Sequence, residues 1–316
     1  MSHDHLYDLS FPTKEKGWVV GDYGTILATQ DGGKWWSRQE TGTHALLRGV
    51  DFVDEKRGWA VGVRGTVLHT EDGGQSWAKQ EMDARHLLSL DPDVYLRDVH
   101  FLDPSRGLII ARTGSIFFTE DGGSHWQEQA LEGKDARLNR VRFFSPQVGW
   151  MVGEFGSLFV TQDGGRSWKP RESGTKVTLM DIVFLNPQLG YVVGLSGTLL
   201  RTQDGGETWE AISIGRKENF FGLSAGDGSG RVWVLGNRFF QWFDGQNQEK
   251  LRWHEVMLPK EINLLEAWFY AGQADANGGV WVTGREGVLL HGANGKESWM
   301  SVLSWERNVR PAKEGS

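Results

Sequence analysis

Apolar and polar positions alternate in this chain over short runs, and glycine-rich breaks separate one run from the next. Leu47, Val50 and Phe52 lie along one run. A continuous apolar run follows, Gly58-Trp59-Ala60-Val61-Gly62, and then a second alternating run, Gly65-Thr66-Val67-Leu68-His69-Thr70. Apolar residues spaced three and four apart over a long window, which would mark an amphipathic helix, are nearly absent. Alternation bounded by Gly, Asp, Asn and Pro predicts short strands joined by tight turns. The same order of runs restarts at Leu96-Val99-Phe101, Leu138-Val141-Phe143 and Leu179-Ile182-Phe184.

The restart has a fixed period. An Asp-Gly-Gly follows the third run of each unit, with its Asp at Asp31, Asp72, Asp121, Asp163 and Asp204, in steps of 41, 49, 42 and 41 residues. Two worn copies complete the series. Gly230–Gly236 leads to Asp244-Gly245 and Trp253, and Val280–Gly284 leads to Asn294-Gly295 and Trp299. Seven units averaging about 44 residues, each with four short strands, match the blades of a β-propeller. The expectation is an all-β, seven-bladed β-propeller of four-stranded antiparallel blades. The blades fall at about 6–46, 47–95, 96–137, 138–178, 179–219, 220–263 and 264–305, with a C-terminal tail at 306–316. The chain opens on a first strand, Leu6-Leu9-Phe11, and blade seven ends on a fourth, from Trp299 to about Trp305. The ring is therefore expected to close by packing of blade one on blade seven, with no strand shared between them.

Composition adds limits. The 316 residues include 43 Gly and 16 Trp but only 8 Pro, which suits tight turns between aromatic-rich strands. A net charge of -7 argues against a nucleic-acid-binding surface, which would show as a basic patch. No stretch holds the roughly 18 apolar residues that cross a bilayer, so the chain is not expected to span a membrane itself. Cysteine is absent, which removes disulfides, thiolate metal sites and Cys nucleophiles while leaving the compartment open. Met1-Ser2-His3-Asp4-His5 lacks a basic and then apolar leader. The chain is read as a periplasmic or otherwise exported protein in its mature form, without its signal peptide; the alternative is a cytoplasmic protein.

The third and fourth strands of each unit must reverse tightly. Asp at the turn can accept backbone N–H groups two and three residues on, and the glycines supply positive φ. The Trp that follows, such as Trp77 or Trp168, can then bury roughly 150–250 Å². Thr29-x-Asp31-Gly32-Gly33-x-x-Trp36 and its copies resemble the Asp-box, or bacterial neuraminidase repeat, of sialidases and other propellers. The longer pattern Gly-Trp-x-Val-Gly-x-x-Gly-Thr-x-Leu-x-Thr-x-Asp-Gly-Gly resembles the photosystem II stability and assembly factor-like family. The resemblance covers five blades strongly and two weakly. It implies a non-enzymatic propeller on the lumenal or periplasmic side of a membrane, acting as an accessory, assembly or stability factor that binds a membrane-protein complex. Photosynthetic members look basic at their partner-binding blades, and the nearest counterpart here is Arg137, Arg140 and Arg142 in blade four.

Catalytic chemistry finds little support. Paired carboxylates perform glycoside hydrolysis, but Asp31, Asp72, Asp121, Asp163 and Asp204 recur once per blade at one turn and are read as structural. A sialidase-like hydrolase would need three convergent arginines, a Tyr nucleophile with a Glu partner, and an acid Asp. Of the five tyrosines, Tyr191 holds a repeat Trp position, and Tyr95 and Tyr270 sit in no recognisable nucleophile context. His3-Asp4-His5 is read as a frayed terminus, and His69, His100, His125 and His291 as solvated or hydrogen-bonded. There is no His-Glu-x-x-His, phosphate loop or Gly-x-Ser-x-Gly. No catalytic residue, metal or cofactor is expected. The alternative function is a glycan-binding propeller or sialidase-like glycoside hydrolase.

Specificity can be written where equivalent repeat positions differ. The hairpins joining strands two and three read Asp22-Tyr23, Val63-Arg64, Arg112-Thr113, Glu154-Phe155, Leu195-Ser196, Asn237-Arg238 and Arg285-Glu286. They open on the face opposite the Asp-Gly-Gly turns. Between Trp77 and Leu96 the usual link of 11 residues is 19 long and carries Arg85, Leu87, Leu88 and Leu90. Blade seven has a smaller insertion, Gly272 to Gly278. The candidate partner-binding residues are therefore Tyr23, Arg64, Arg85, Leu87, Leu88, Leu90, Arg112, Phe155, Leu195 and Arg285.

Overall fold

The computed structural model describes residues 4–82, 94–129, 131, 137–225, 228–247, 251–274, 279–292, 299–301 and 309–310. Within them the chain forms seven blades of four antiparallel strands in sequence order, the expected seven-bladed propeller, the first of which gains a fifth strand. Blade two shows the plan. β5 (Leu47–Phe52) pairs with β6 (Gly58–Gly62), β6 with β7 (Val67–Thr70), and β7 with the outer β8 (Ala78–Lys79). First strands line the central channel. Second strands are buried throughout because both faces meet neighbouring blades, which is why they read as unbroken apolar runs.

An aromatic stack joins blades one to two, two to three, four to five and seven to one. Trp18 of blade one lies flat on Phe52 of blade two, 3.6 Å between centroids, and Trp59 on Phe101 of blade three, 3.4 Å. The Asp-box Trp of the receiving blade meets the same Phe edge-on: Phe52–Trp77, Phe101–Trp126, Phe143–Trp168 and Phe184–Trp209, all near 5.9 Å or closer. Offset and edge-to-face pairs contribute about 0.5–1.5 kcal/mol each beyond their buried area. The Phe ring also explains the glycine that opens strand two. A Cβ on Gly58 would sit 2.5 Å from the Phe52 ring, and one on Gly149 would sit 2.7 Å from Phe143.

Asp-box turns hold the other side of the seam. Thr70 Oγ1 donates to Asp72 Oδ1 at 2.8 Å and accepts the Gly74 N–H, while Asp72 Oδ1 accepts the Ser76 N–H. The pattern repeats at Asp31, Asp121, Asp163 and Asp204. The N–H two residues past the Asp thus goes to the Thr, and the Asp takes the one four residues past, a correction to the turn expected from sequence. The carbonyl of the first box glycine accepts the indole N–H of the preceding blade, Trp18 to Gly73 at 3.3 Å and Trp59 to Gly122 at 3.1 Å.

Ring closure departs from expectation. Phe11 stacks on Trp281 at 4.8 Å, and Gln273 exchanges two hydrogen bonds with the Phe11 backbone, so blades one and seven do pack by their faces. In addition, β29 (Val309–Arg310) pairs in parallel with β4 (Trp36–Arg38), giving blade one a fifth strand from the far end of the chain. Blade one is therefore built from both ends. Blade seven also starts later than expected: its first strand is β25 (Phe269–Ala274), and Leu264 lies in an irregular link that exposes Met257, Leu264 and Leu265. Trp268-Phe269, not Leu264-Leu265, meets the register of blade six, through the Asn237–Trp268 bridge.

Gly58→Ala should destabilise the protein by about 1–3 kcal/mol through overpacking against Phe52. Chemical denaturation should show most of that loss disappearing in a Phe52→Ala background, and an unchanged penalty there would contradict the stacking account.

Candidate functional site

The first strands do more than line the channel. In each blade the register between strands one and two slips at the second residue of strand one, as between Leu6 and Asp8 or Leu138 and Arg140. Such a bulge re-aims a side chain and increases local twist. The seven bulge residues are Tyr7, Arg48, Arg97, Asn139, Met180, Phe221 and Tyr270, and all seven line one cavity of about 450 Å³ at the channel mouth. Glu154 and Leu195, from the hairpin tips, and Trp268 contribute to its rim, so the mouth opens on the variable face.

One arc of this mouth is aromatic and the other polar. Tyr7 and Tyr270 stand 5.2 Å apart, Phe221 6.1 Å from Tyr270, and Trp268 5.8 Å from Phe221. The Arg48 guanidinium lies 4.4 Å over the Tyr7 ring and 6.0 Å from that of Tyr270, a cation–π arrangement that leaves its N–H groups open to an anion. Arg97 makes no ion pair among the described residues, and its buried Nε has no hydrogen-bond partner. Burial pulls Arg97 down to about 10, with the nearby Arg48 charge acting the same way. It remains a cation at neutral pH.

A charged cluster closes the floor. Arg140 of blade four reaches across the axis: its Nη2 lies 2.9 Å from Asp8 Oδ1, its Nη1 3.4 Å from Asp98 Oδ1 and its Nε 3.8 Å from Asp181 Oδ1. Arg142 also faces Asp181 at 3.4 Å, and Asp51 meets His100 Nδ1 at 3.3 Å. The same carboxylates tie blade to blade by accepting first-strand N–H groups: Asp8 from Val50, Asp51 from Phe101, Asp98 from Val141 and Asp181 from Leu223. Burial raises Asp51 to about 7 and, with Asp8 adding to it, Asp98 to about 6 despite Arg140. Burial and then Arg142 and Arg140 hold His100 down at about 3, so it is neutral.

The sequence-predicted residues divide among these features. Tyr23 is 62% and Phe155 72% exposed at their tips. Arg64, Arg112 and Arg285 are exposed and Leu195 is half-buried, all on the mouth side. Tyr23, Arg64, Phe155, Ser196, Arg238 and Glu286 adopt positive φ of 55–58°, a conformation that costs a non-Gly residue about 1–2 kcal/mol. Arg85, Leu87, Leu88 and Leu90 lie outside the described residues. Arg140 and Arg142 are consumed by the floor cluster and Arg137 pairs with Glu154 at 3.7 Å, so this triplet is not a free basic patch. The box carboxylates are engaged as structural turns: burial works against Asp72, Asp121 and Asp163, but hydroxyl, imidazole and N–H donors keep them below the usual range, and the Thr208 hydroxyl brings Asp204 to about 2. His69 is neither solvated nor hydrogen-bonded through its buried Nε2; it stacks on Trp59 at 4.7 Å. Among the described residues, no group of acidic or His side chains is able to hold a metal and no helix is long and apolar enough to cross a membrane.

The bulge residues escaped the sequence reading because they fall on an unspecified position of the Leu-x-x-Val-x-Phe strand. Their variation from Tyr to Arg, Asn, Met and Phe was the available signal.

The model of the family described as the photosynthesis system II assembly factor YCF48 matches residues 2–85, 86–172 and 170–262. The chain belongs to that family. Among solved structures it is similar to YCF48 bound to D1 peptide, at 23% identity and a TM-score of 0.75 over 93% of this chain and 94% of that one. It is also similar to YCF48 from Cyanidioschyzon merolae, at 20% identity and a TM-score of 0.71 over 92% and 96%. An ancestral GH74 enzyme shares the propeller architecture at 12% identity and a TM-score of 0.72, over 95% of this chain and 46% of that one. No curated protein sequence matches the chain. At these identities the structural likenesses establish the fold alone, and the family rests on the sequence model.

Within this YCF48-family propeller, three arginines and two tyrosines approach one another at the mouth, as an acidic-sugar hydrolase would require. Two of them are committed elsewhere: Arg140 serves three carboxylates, and the Tyr7 hydroxyl donates to Asp22 Oδ1 at 3.1 Å. Burial and the Asp22 charge push the Tyr7 phenol up, away from a nucleophile's range.

The raised carboxylates fix a pH dependence. A folded Asp with a raised pKa binds protons that the unfolded chain has already released, so stability falls as pH rises from about 4 to 7. The lowered turn carboxylates act oppositely, and their contribution is lost as pH falls below about 4. Denaturation midpoints should therefore peak near pH 4–5 and decline towards pH 8, and Asp51→Asn should flatten that decline. A wild-type midpoint that rises from pH 5.5 to 8 would contradict this assignment.

Proposed function

We propose that this protein is a non-catalytic accessory factor that captures a segment of a membrane-protein complex at the mouth of its channel during assembly. The observation that carries the reading is the bulge ring: a repeated backbone device aims seven unlike side chains at one point. Two of these, Arg48 and Arg97, are cations without a carboxylate partner among the described residues. Arg97 is half-buried with only the Tyr95 ring, 5.8 Å away, beside its guanidinium and no carboxylate partner among the described residues, and burying a charge without one is unfavourable. Aromatic and Arg side chains are the types that dominate protein interfaces. Family membership and the peptide held by a related propeller support the same reading. On this reading the protein works outside the cytoplasm, where protease added to intact cells stripped of their outer layer would reach it.

Exposed Tyr23 and Phe155 widen the surface around the mouth. Phe155 stands at positive φ with little burial to compensate, so Phe155→Asn should raise stability by about 0.5–1 kcal/mol. Affinity capture from native membranes should separate fold from function. Arg97→Glu should lose the captured partner at unchanged melting temperature, and Phe155→Asn should weaken capture while melting higher. Undiminished capture by Arg97→Glu would remove the mouth from the interface.

A further inference from the structure

The mouth and the cluster beneath it share one residue. Arg140 lines the cavity and also holds Asp8, Asp98 and Asp181, so the charge state of the floor is felt by whatever sits above it. The groups facing this region can be counted by strand. Among the described residues, β1 (Leu6–Ser10) brings Asp8, β5 brings Asp51, and β9 (Leu96–Phe101) brings Arg97, Asp98 and the neutral His100. β13 (Leu138–Phe143) brings Arg140 and Arg142, and β17 (Leu179–Phe184) brings Asp181; Arg48 and the tip residue Glu154 complete the set. Below the bulge ring, four carboxylates therefore share two guanidiniums. With all four ionised the floor is negative and opposes an anion in the mouth. With two protonated it is neutral, and the field of Arg48 and Arg97 is unopposed.

We propose, building on the capture reading above, that the mouth binds a carboxylate of the captured protein segment between Arg48 and Arg97, and that this binding is coupled to proton uptake by the carboxylate cluster on its floor. The chemistry that fits is a carboxylate joined to an apolar or aromatic group. The anion meets the two guanidiniums, and the apolar part meets the arc of Tyr7, Tyr270, Phe221 and Trp268. An anion in the mouth disfavours negative charge on the floor, so Asp98 and Asp51 hold their protons to higher pH when the site is filled. By linkage, affinity must then rise as pH falls through the range where the empty cluster titrates. Asp98 and Asp51, at about 6 and about 7, titrate in the accessible range.

Benzoate is a suitable probe, because it carries both features and stays ionised above pH 5.5. Benzamide is its uncharged control. Titration followed through the Arg Nε–H NMR signals, assigned with Arg48→Met and Arg97→Met, should show saturable benzoate binding that tightens about ten-fold from pH 8.5 to 5.5, a change equivalent to one unit of pKa shift in the cluster. Benzamide should not bind measurably, and Arg97→Met should abolish the benzoate response. Asp51→Asn/Asp98→Asn, whose amides keep acceptors for the Phe101 and Val141 N–H groups, should bind at pH 8.5 as tightly as wild type does at 5.5. Should that double variant fail to fold, Asp98→Asn alone should halve the slope with pH. Affinity that is independent of pH, equal binding of benzamide, or an unchanged Arg97→Met response would each overturn the proposal. Loss of the proton coupling would leave membrane capture dependent on Arg97, whereas failure of the capture reading would show as undiminished capture by Arg97→Glu.

Discussion

The ring depends on one contact made again at four of its seven seams: a Phe at the end of strand one, pressed between the strand-two Trp of the blade before it and the glycine that opens its own strand two. Trp18, Phe52 and Gly58 form one such set, and Trp59, Phe101 and Gly107 the next. Each set joins two sheets that share no backbone hydrogen bonds through their faces. The Asp-box Trp and the glycine carbonyl close around the same ring. Where the set is incomplete, substitutes appear: Leu108 takes the Trp position in blade three, and Tyr191 in blade five donates its hydroxyl to the Gly245 carbonyl at 2.7 Å.

This arrangement separates the chain into residues tied to the seams and residues released from them. Strand two, the box and the alternate positions of strand one are fixed by packing. The bulge position is free of those demands, because it faces the axis where seven blades meet and nothing repeats. There the ring places aromatic side chains on one arc and unpaired cations near the other, above a floor in which carboxylates outnumber guanidiniums. The proposed capture site and ring cohesion therefore meet at Arg140, which ties blade four to blades one, three and five and also lines the pocket.

Much of the fold could be read in advance because the seam contacts require specific residues. Gly before Trp, Phe six residues before that Gly, and Thr-x-Asp-Gly-Gly cannot be exchanged freely, so their period shows through. Blade boundaries in the worn region were less visible. Leu264-Leu265 mimics a strand start, but Phe269 has the bulge and register, and a backbone pairing decides between them. The closing strand β29 pairs through main-chain groups and so leaves no side-chain signature. The candidate site was partly legible: variation at the hairpin tips pointed to the face on which the channel mouth opens, while the bulge ring was hidden because its register shift is a property of the backbone. The arginine triplet of blade four was misleading for a related reason, since only the fold shows that two of the three turn inward to carboxylates.

The account holds that binding takes place at the mouth and that the Asp-box face is structural. Photo-crosslinking from two positions in the native cell tests this most directly, with the crosslinker carried at Leu195 on the rim or at exposed Gln75 on the Asp-box face. The account predicts adducts to a membrane-protein partner from position 195 and none from position 75. Adducts to that partner from position 75, with none from 195, would contradict it.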